Sequence, residues 1–312
     1  MNFSKPKFWD INKISLFSLL LFPISLLIRL IILLKIFFSK KVTPPVPTIC
    51  IGNIYLGGTG KTPLSIEIFS ILINMNMRPA FIKKKYEYLY DEVMLQKQIG
   101  PVYESKKRIK AIEEAIQNNI NVVILDDGFQ DFSLKKNLSI VCFNEKQWVG
   151  NGLTIPSGPL RESLSALKRA ECIMINGKKN IEIEKKIFSY NKDIKIFYSK
   201  YIPENINSFK NKKVIAFAGI GNPENFFILL KDNKIDIVEE INFPDHHKYF
   251  KKELDYLVKR ANESNAILLT TEKDYHRLDE FYKKNVYFLK IKTEIENKNK
   301  FIEEIKKIYE NN

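Results

Sequence analysis

A glycine-rich turn, Gly57-Gly58-Thr59-Gly60-Lys61-Thr62, stands between an apolar run at 48–54 and a helix-forming stretch at 63–74. The order is strand, phosphate loop, helix. Glycines let successive backbone N–H groups curl around an anion, Lys61 reaches terminal phosphates, and the Thr62 hydroxyl suits Mg²⁺. The helix adds the positive end of its dipole to the same spot. Pro63 sits just inside that helix, where its missing N–H costs nothing. The full pattern G-x-x-x-x-G-K-[ST] asks for a glycine where this chain has Tyr55, so the loop Tyr55-Leu56-Gly57-Gly58-Thr59-Gly60-Lys61-Thr62 is a variant. It predicts binding of a nucleoside triphosphate. A glycine-rich connector that binds nothing is the bland alternative, and a second segment weighs against it.

That segment is Asn121-Val122-Val123-Ile124-Leu125-Asp126-Asp127. Four apolar residues ending in two aspartates read as a buried strand whose carboxylates emerge at its C-terminal edge. In phosphoryl-transfer enzymes with a phosphate loop, that position holds Mg²⁺. A strand ending in a turn closed by Gly128 would look the same. The pairing with the loop decides, because a parallel α/β sheet brings both edges to one crevice.

At 312 residues the chain is long enough for two domains. The formal charge of +14 comes from 50 basic and 36 acidic residues. It fits either an anionic partner or a Lys-rich composition spread over solvated faces. Interleaved Lys and Glu in the C-terminal half favour the second, and nothing points to nucleic acid. In the first 41 residues the basic side chains face only Asp10. Three cysteines, Cys50, Cys142 and Cys172, lie in apolar runs without C-x-x-C spacing, as buried thiols in a reducing compartment would.

Residues 14–38 are the most apolar stretch. As a helix, roughly 25 residues match the hydrocarbon thickness of a bilayer. Pro23 and Arg29 interrupt the run, and an arginine at that depth must snorkel or the helix must lie shallow. A cleaved signal peptide fits poorly: the region is too long and Lys40-Lys41 leads straight into the nucleotide-binding strand. Residues 1–41 therefore read as a membrane anchor, spanning or steeply embedded, with the rest on the cytoplasmic face.

A stiff spacer, Thr43-Pro44-Pro45-Val46-Pro47, follows. Strand-like runs at 48–52, 78–82, 121–125, 138–143 and 171–175 then alternate with helical ones. The expected fold is α/β, a mostly parallel phosphate-loop NTPase-like sheet covered by helices over 42–200. A second, smaller α/β unit is expected over 201–293, with strands at 213–218, 236–243, 266–271 and 286–291. A helix at 294–309, apolar at Ile295, Phe301, Ile302, Ile305 and Ile308, is expected to pack back on the first domain. Gly219-x-Gly221 is only a fragment of a dinucleotide pattern, and Pro223 at a helix start accounts for it.

Three polar clusters remain. Asp91-Glu92 heads a helix-like segment, where acids also simply complement a helix dipole. Pro156-Ser157-Gly158-Pro159-Leu160-Arg161-Glu162 is a rigid turn. Phe243-Pro244-Asp245-His246-His247 joins two of the three histidines, without the cysteines or spacing of a zinc site.

Together the runs Ile51-Gly52-Asn53, Gly57-Gly58-Thr59-Gly60-Lys61-Thr62-Pro63, Asp126-Asp127-Gly128-Phe129-Gln130, Gly158-Pro159-Leu160-Arg161-Glu162, Phe243-Pro244-Asp245-His246-His247 and Thr270-Thr271-Glu272-Lys273-Asp274 resemble the tetraacyldisaccharide 4′-kinases of lipid A synthesis. The resemblance covers the chain from its N-terminal helix to about residue 290. It implies transfer of the ATP γ-phosphate to the 4′-hydroxyl of a tetraacylated glucosamine disaccharide 1-phosphate, at the inner membrane where that lipid resides. By the same resemblance Lys61 and Thr62 keep their phosphate and Mg²⁺ roles. Asp126 and Asp127 organise the metal, and Arg161 and Glu162 contact nucleotide and metal. Asp91, in the first domain, accepts the hydroxyl proton, helped by His246 from the second and supported by Glu92. The chain departs from the family in one place. Where an Arg-Gly-Tyr-Gly-Gly turn is usual it has Lys83-Lys84-Lys85-Tyr86-Glu87-Tyr88-Leu89-Tyr90, leaving Lys84 or Lys85 to stand in for the arginine. A membrane-attached GTPase or ATPase switch is the alternative, aided by Asn233-Lys234-Ile235-Asp236, which imitates a guanine-reading motif.

Overall fold

A computed structural model describes residues 5–11, 13–86 and 90–310. In chain order the strands are β1 (Thr48–Gly52), β2 (Pro79–Lys84), β3 (Val102–Ser105), β4 (Val122–Asp126), β5 (Leu138–Asn144), β6 (Cys172–Asn176), β7 (Lys195–Pro203), β8 (Lys213–Ala218), β9 (Asp236–Asn242), β10 (Ile267–Thr271), β11 (Val286–Leu289) and β12 (Ile291–Ile295). The helices are α1 (Leu16–Phe38), α2 (Lys61–Asn74), α3 (Tyr90–Lys97), α4 (Arg108–Gln117), α5 (Ile181–Phe188), α6 (Pro223–Asp232), α7 (Lys251–Glu263), α8 (Glu272–His276), α9 (Glu280–Lys283) and α10 (Lys298–Glu310).

The chain divides into two compact units. The first comprises Lys5–Lys85, Gly100–Lys200 and the segment from Glu294 onward; the second comprises Tyr86–Ile99 and Tyr201–Thr293. The stretch 86–99, expected with the first domain, thus groups with the second. The strand expected at 286–291 is two strands, β11 and β12, in different sheets.

The first unit is built on an eight-stranded sheet in the order β12-β7-β6-β5-β1-β4-β2-β3. β1 pairs in parallel with β4 and β5, and β2 with β3 and β4. Every residue of β1, β4 and β5 is buried. A parallel strand covered on both faces has no solvent side, so these strands read as unbroken apolar runs. Alternate side chains still part to opposite faces. Cys50 joins a core with Ile112 and Ala115 of α4 and Ile187 of α5. Ile49 and Ile51 join Leu64 and Ile68 of α2 and Phe301, Ile305 and Ile308 of α10. The last three repeat at helical spacing, which holds α10 on the first unit. The second unit has a four-stranded sheet in the order β11-β10-β8-β9. Phe226, Phe227 and Leu230 of α6 cover one face, and Leu254, Leu257 and Ala261 of α7 the other.

Helix α1 is inside out. Its buried residues are the polar Ser18 and Ser25, while Leu16, Phe17, Leu20 and Phe37 are exposed. Ser25 Oγ donates to Thr154 O at 2.9 Å and lies 2.8 Å from Ser157 Oγ, and Asn151 Nδ2 donates to Ser18 Oγ at 3.1 Å. Just past the helix, Val42 N donates to Ser133 O at 2.8 Å and Lys135 N to Val42 O at 2.9 Å. Both ends of α1 are thus fastened to the first unit.

Candidate active site

The phosphate loop is shaped from within by Asn53. Its Nδ2 donates to Tyr55 O at 2.6 Å and to Thr59 Oγ1 at 3.0 Å. Gly57 and Gly60 carry φ of 131° and 90°, values that a side chain disfavours. Gly60 is also the N-cap of α2, so no capping side chain closes off the first-turn N–H groups. From behind, the loop is braced by the turn that precedes Arg161. Leu56 N donates to Pro159 O at 2.8 Å, Arg161 N to Ile54 O at 2.6 Å, and Tyr55 bridges antiparallel to Leu160. Tyr55 is fully buried with its hydroxyl donating to Asp10 Oδ1 at 2.7 Å. Tyr55, expected as part of the nucleotide-binding loop, thus has its side chain wedged behind that loop.

Gly52, at the end of β1, faces the Asp-Asp-Gly-Phe-Gln turn. A Cβ there would lie 2.4 Å from Phe129 Cβ, so only glycine lets the two segments meet. On that turn Asp127 has φ 51°, a left-handed conformation. Its carboxylate receives both bonds of Arg161 Nη1, each 2.9 Å, and stands 3.8 Å from Lys61 Nζ. Arg108 Nη2 donates to Asp127 O at 2.8 Å and fixes the backbone. Asp126 is 1% exposed, with Lys83 Nζ 3.1 Å from its Oδ2. The lysine expected to replace the family arginine was Lys84 or Lys85. Both of those are exposed at the end of β2 or beyond it, and Lys83 is the buried one. Residues 87–89 of that segment lie outside the described residues. Glu162 is buried, accepting from Arg169 Nη2 at 2.6 Å and Gln130 Nε2 at 3.0 Å.

These donors suit a hard cation shared with phosphates. Mg²⁺ takes one or two carboxylates and completes its shell with water and phosphate oxygens. Thr62, Asp126 and Asp127 offer that chemistry, and among the described residues no three His, Cys, Asp or Glu side chains form a metal cage of their own.

The second unit gathers the other expected residues. Asp91 and His246 were expected in different domains, but both belong to this unit. Asp91, near the start of α3, is 2% exposed, and its Oδ2 lies 3.8 Å from His246 Nδ1, too far for a hydrogen bond. Arg277 comes between them, donating from Nε to Asp91 Oδ2 at 3.1 Å and approaching His246 Nδ1 to 3.4 Å from Nη2. Arg277 Nη1 donates to Gly219 O at 2.6 Å and to Asp274 Oδ1 at 2.9 Å. Burial disfavours the guanidinium charge, but Asp274 and Asp91 outweigh it and raise its pKa. Glu92 accepts from Lys273 Nζ at 2.7 Å. Burial likewise opposes that ammonium, and Glu92 and Asp91 overcome it, so Lys273 stays charged. Gly219, half of the glycine pair without a cofactor reading, donates its N–H to Asp274 Oδ2 at 3.1 Å and leaves no free room for a side chain. His247 is buried, with Nε2 2.9 Å from Glu253 Oε2, and serves packing. Asn233-Lys234-Ile235-Asp236 is a helix-to-strand turn of the second unit, ending α6 and entering β9.

A glycine-rich loop between β1 and α2, with aspartates at the end of neighbouring β4, defines a protein of the phosphate-loop NTPase class. Residues 17–310 match the family described as tetraacyldisaccharide-1-P 4′-kinase. A tetraacyldisaccharide 4′-kinase from Pelagibacter ubique is 44% identical, with all of both chains aligned. One from Rickettsia bellii is 32% identical, covering 96% of this chain and 97% of that one. The crystal structure of LpxK from Aquifex aeolicus in complex with ATP superposes with a TM-score of 0.71 at 28% identity, covering 93% of this chain and 99% of that one. The chain belongs to the tetraacyldisaccharide 4′-kinase family, the ATP-dependent kinases of lipid A biosynthesis. The switch alternative falls with that result.

Proposed function

We propose that the two units divide the reaction: the first holds the donor phosphates and the second the acceptor 4′-hydroxyl. The observation that carries the donor half is Asp127, left-handed, gripped by Arg161 and beside Lys61 at the mouth of the loop. Lys61 binds the transferring phosphoryl group, and Arg161 supplies a second positive charge against it. Thr62, Asp126, Asp127 and Glu162 would hold Mg²⁺, which when bound neutralises charge on the phosphates. Asp91 accepts the hydroxyl proton. A carboxylate suffices for a loose phosphoryl-transfer transition state, where positioning and charge neutralisation outweigh base strength. His246 and Glu92 support Asp91. Lys61→Ala tests the donor half: losing a charge on the transferring group should cost several kcal/mol of transition-state stabilisation. Label transfer from γ-labelled ATP to the acylated disaccharide should vanish with the fold intact, and near-normal turnover would remove Lys61 from the site.

For the membrane we propose that α1 lies in the plane of the cytoplasmic leaflet. Apolar side chains facing outward from polar clips are stable only against lipid, and a helix fastened at both ends to one unit has no free end to send across.

A further inference from the structure

We propose that Arg277 is the positioning residue that makes Asp91 and His246 one device, by bridging them and seating both on the buried carboxylate of Asp274. The inference rests on the reading of Asp91 as the acceptor of the hydroxyl proton.

Asp91 and His246 do not bond directly, with 3.8 Å between Oδ2 and Nδ1. The guanidinium spans that gap with a planar fork. Arginine only donates, so in this contact Nδ1 is the acceptor. The arginine therefore reaches both side chains and holds them in one arrangement.

The far end of the fork is anchored. Asp274 is fully buried and receives Gly219 N at 3.1 Å, Tyr249 OH at 2.8 Å and Thr271 Oγ1 at 2.6 Å besides Arg277. His246 itself stands at φ 56°, with its N–H on Gly219 O at 3.1 Å, the carbonyl that Arg277 Nη1 also uses. One glycine thus references both Arg277 and His246. A lysine ammonium lacks the planar fork that lets the guanidinium meet Asp91, His246 and Asp274 together.

The test is steady-state kinetics of the full chain on acylated disaccharide, with a thermal melt for each variant. Asp91→Asn calibrates the parent reading. Arg277→Lys keeps a charge beside Asp274 and guards against misfolding, and Arg277→Ala is assayed with and without guanidinium. A misplacement on the order of 1 Å costs about a hundredfold, so Arg277→Ala should lose about that much kcat. The KM for ATP should stay within about threefold, guanidinium should restore part of the rate, and Arg277→Lys should recover less than guanidinium does. The Asp91→Asn/Arg277→Ala double variant should be little worse than the poorer single one. If Asp91→Asn is inactive but folded Arg277→Ala keeps more than half its kcat, the bridge is refuted and the Asp91 reading stands. A loss of kcat in Arg277→Ala that guanidinium leaves untouched, with Arg277→Lys fully active, also refutes it, since charge alone would suffice. Full activity in Asp91→Asn overturns both.

Discussion

Replacing Lys83 by alanine would leave the carboxylate of Asp126 buried without the cation that faces it. The two side chains are 3% and 0% exposed and 3.1 Å apart. At an effective dielectric of 20 that separation corresponds to about 5 kcal/mol of attraction. Much of it offsets desolvation, so the pair adds little net stability, but removing one partner strands the other at about 3–5 kcal/mol. Spread over a unit of this size, the loss should lower its melting temperature by roughly 6–20 °C. The assay is favourable, because both tryptophans, Trp9 and Trp148, lie in the first unit, and their fluorescence reports its unfolding. Lys85→Ala, on an exposed side chain, should change stability by no more than about 0.5 kcal/mol. The double variant Lys83→Met/Asp126→Leu should regain the stability of the parent, since an apolar pair can replace a buried ion pair. It should still transfer no phosphate, having lost a carboxylate meant for the metal. A Lys83→Ala protein within about 1 kcal/mol of the parent would refute the reasoning. So would a double variant no more stable than the single.

Two further outcomes are expected. With α1 in the plane of the membrane, Lys13→Cys and Lys40→Cys should both react with an impermeant thiol reagent from the cytoplasmic side; labelling of Lys13→Cys from the opposite side would establish a spanning helix. The Glu253 carboxylate accepts from Phe250 N at 2.8 Å and faces His247 Nε2 at 2.9 Å. Burial opposes its charge, yet these donors outweigh burial and hold its pKa below the ordinary 4.5. Its stabilisation is therefore present above pH 4.5 and lost as pH falls through the lower folded value. Acid titration of the second unit's stability should show that loss, and Glu253→Gln should flatten it.

Local chemistry was readable where a residue type has few uses. Glycines at positive φ, a lysine at a helix start and two aspartates after an apolar run leave little choice, and Gly57, Gly60, Lys61, Asp126 and Asp127 stand as their types require. Lys83-Lys84-Lys85 shows the opposite case. The three are identical, and which one is buried depends on strand phase, since alternate side chains of β2 face opposite ways. Asp91 was placed with its sequence neighbours, but the packing of α3 decides its unit, and that packing has no local signature. Arg277 carried one unread signal: three positions after Asp274, it falls on the same side of a helical turn. β3 escaped notice because it is a short edge strand, half-buried throughout.

The burial of the three cysteines has a practical consequence. Cys50 and Cys142 sit on the innermost strands and Cys172 beside them. Burial pushes Cys50 up to about 11 and Cys172 to about 12, and raises Cys142 further. At neutral pH the reactive thiolate of Cys50 is on the order of one part in ten thousand, and oxidants and electrophiles attack only that form. The folded protein is thus chemically silent toward thiol reagents, so single cysteines added at its surface can be labelled without first removing the native ones. What slow labelling remains must wait for the central sheet to open, which makes it a clock for unfolding inside a membrane extract where no spectroscopic signal could be followed.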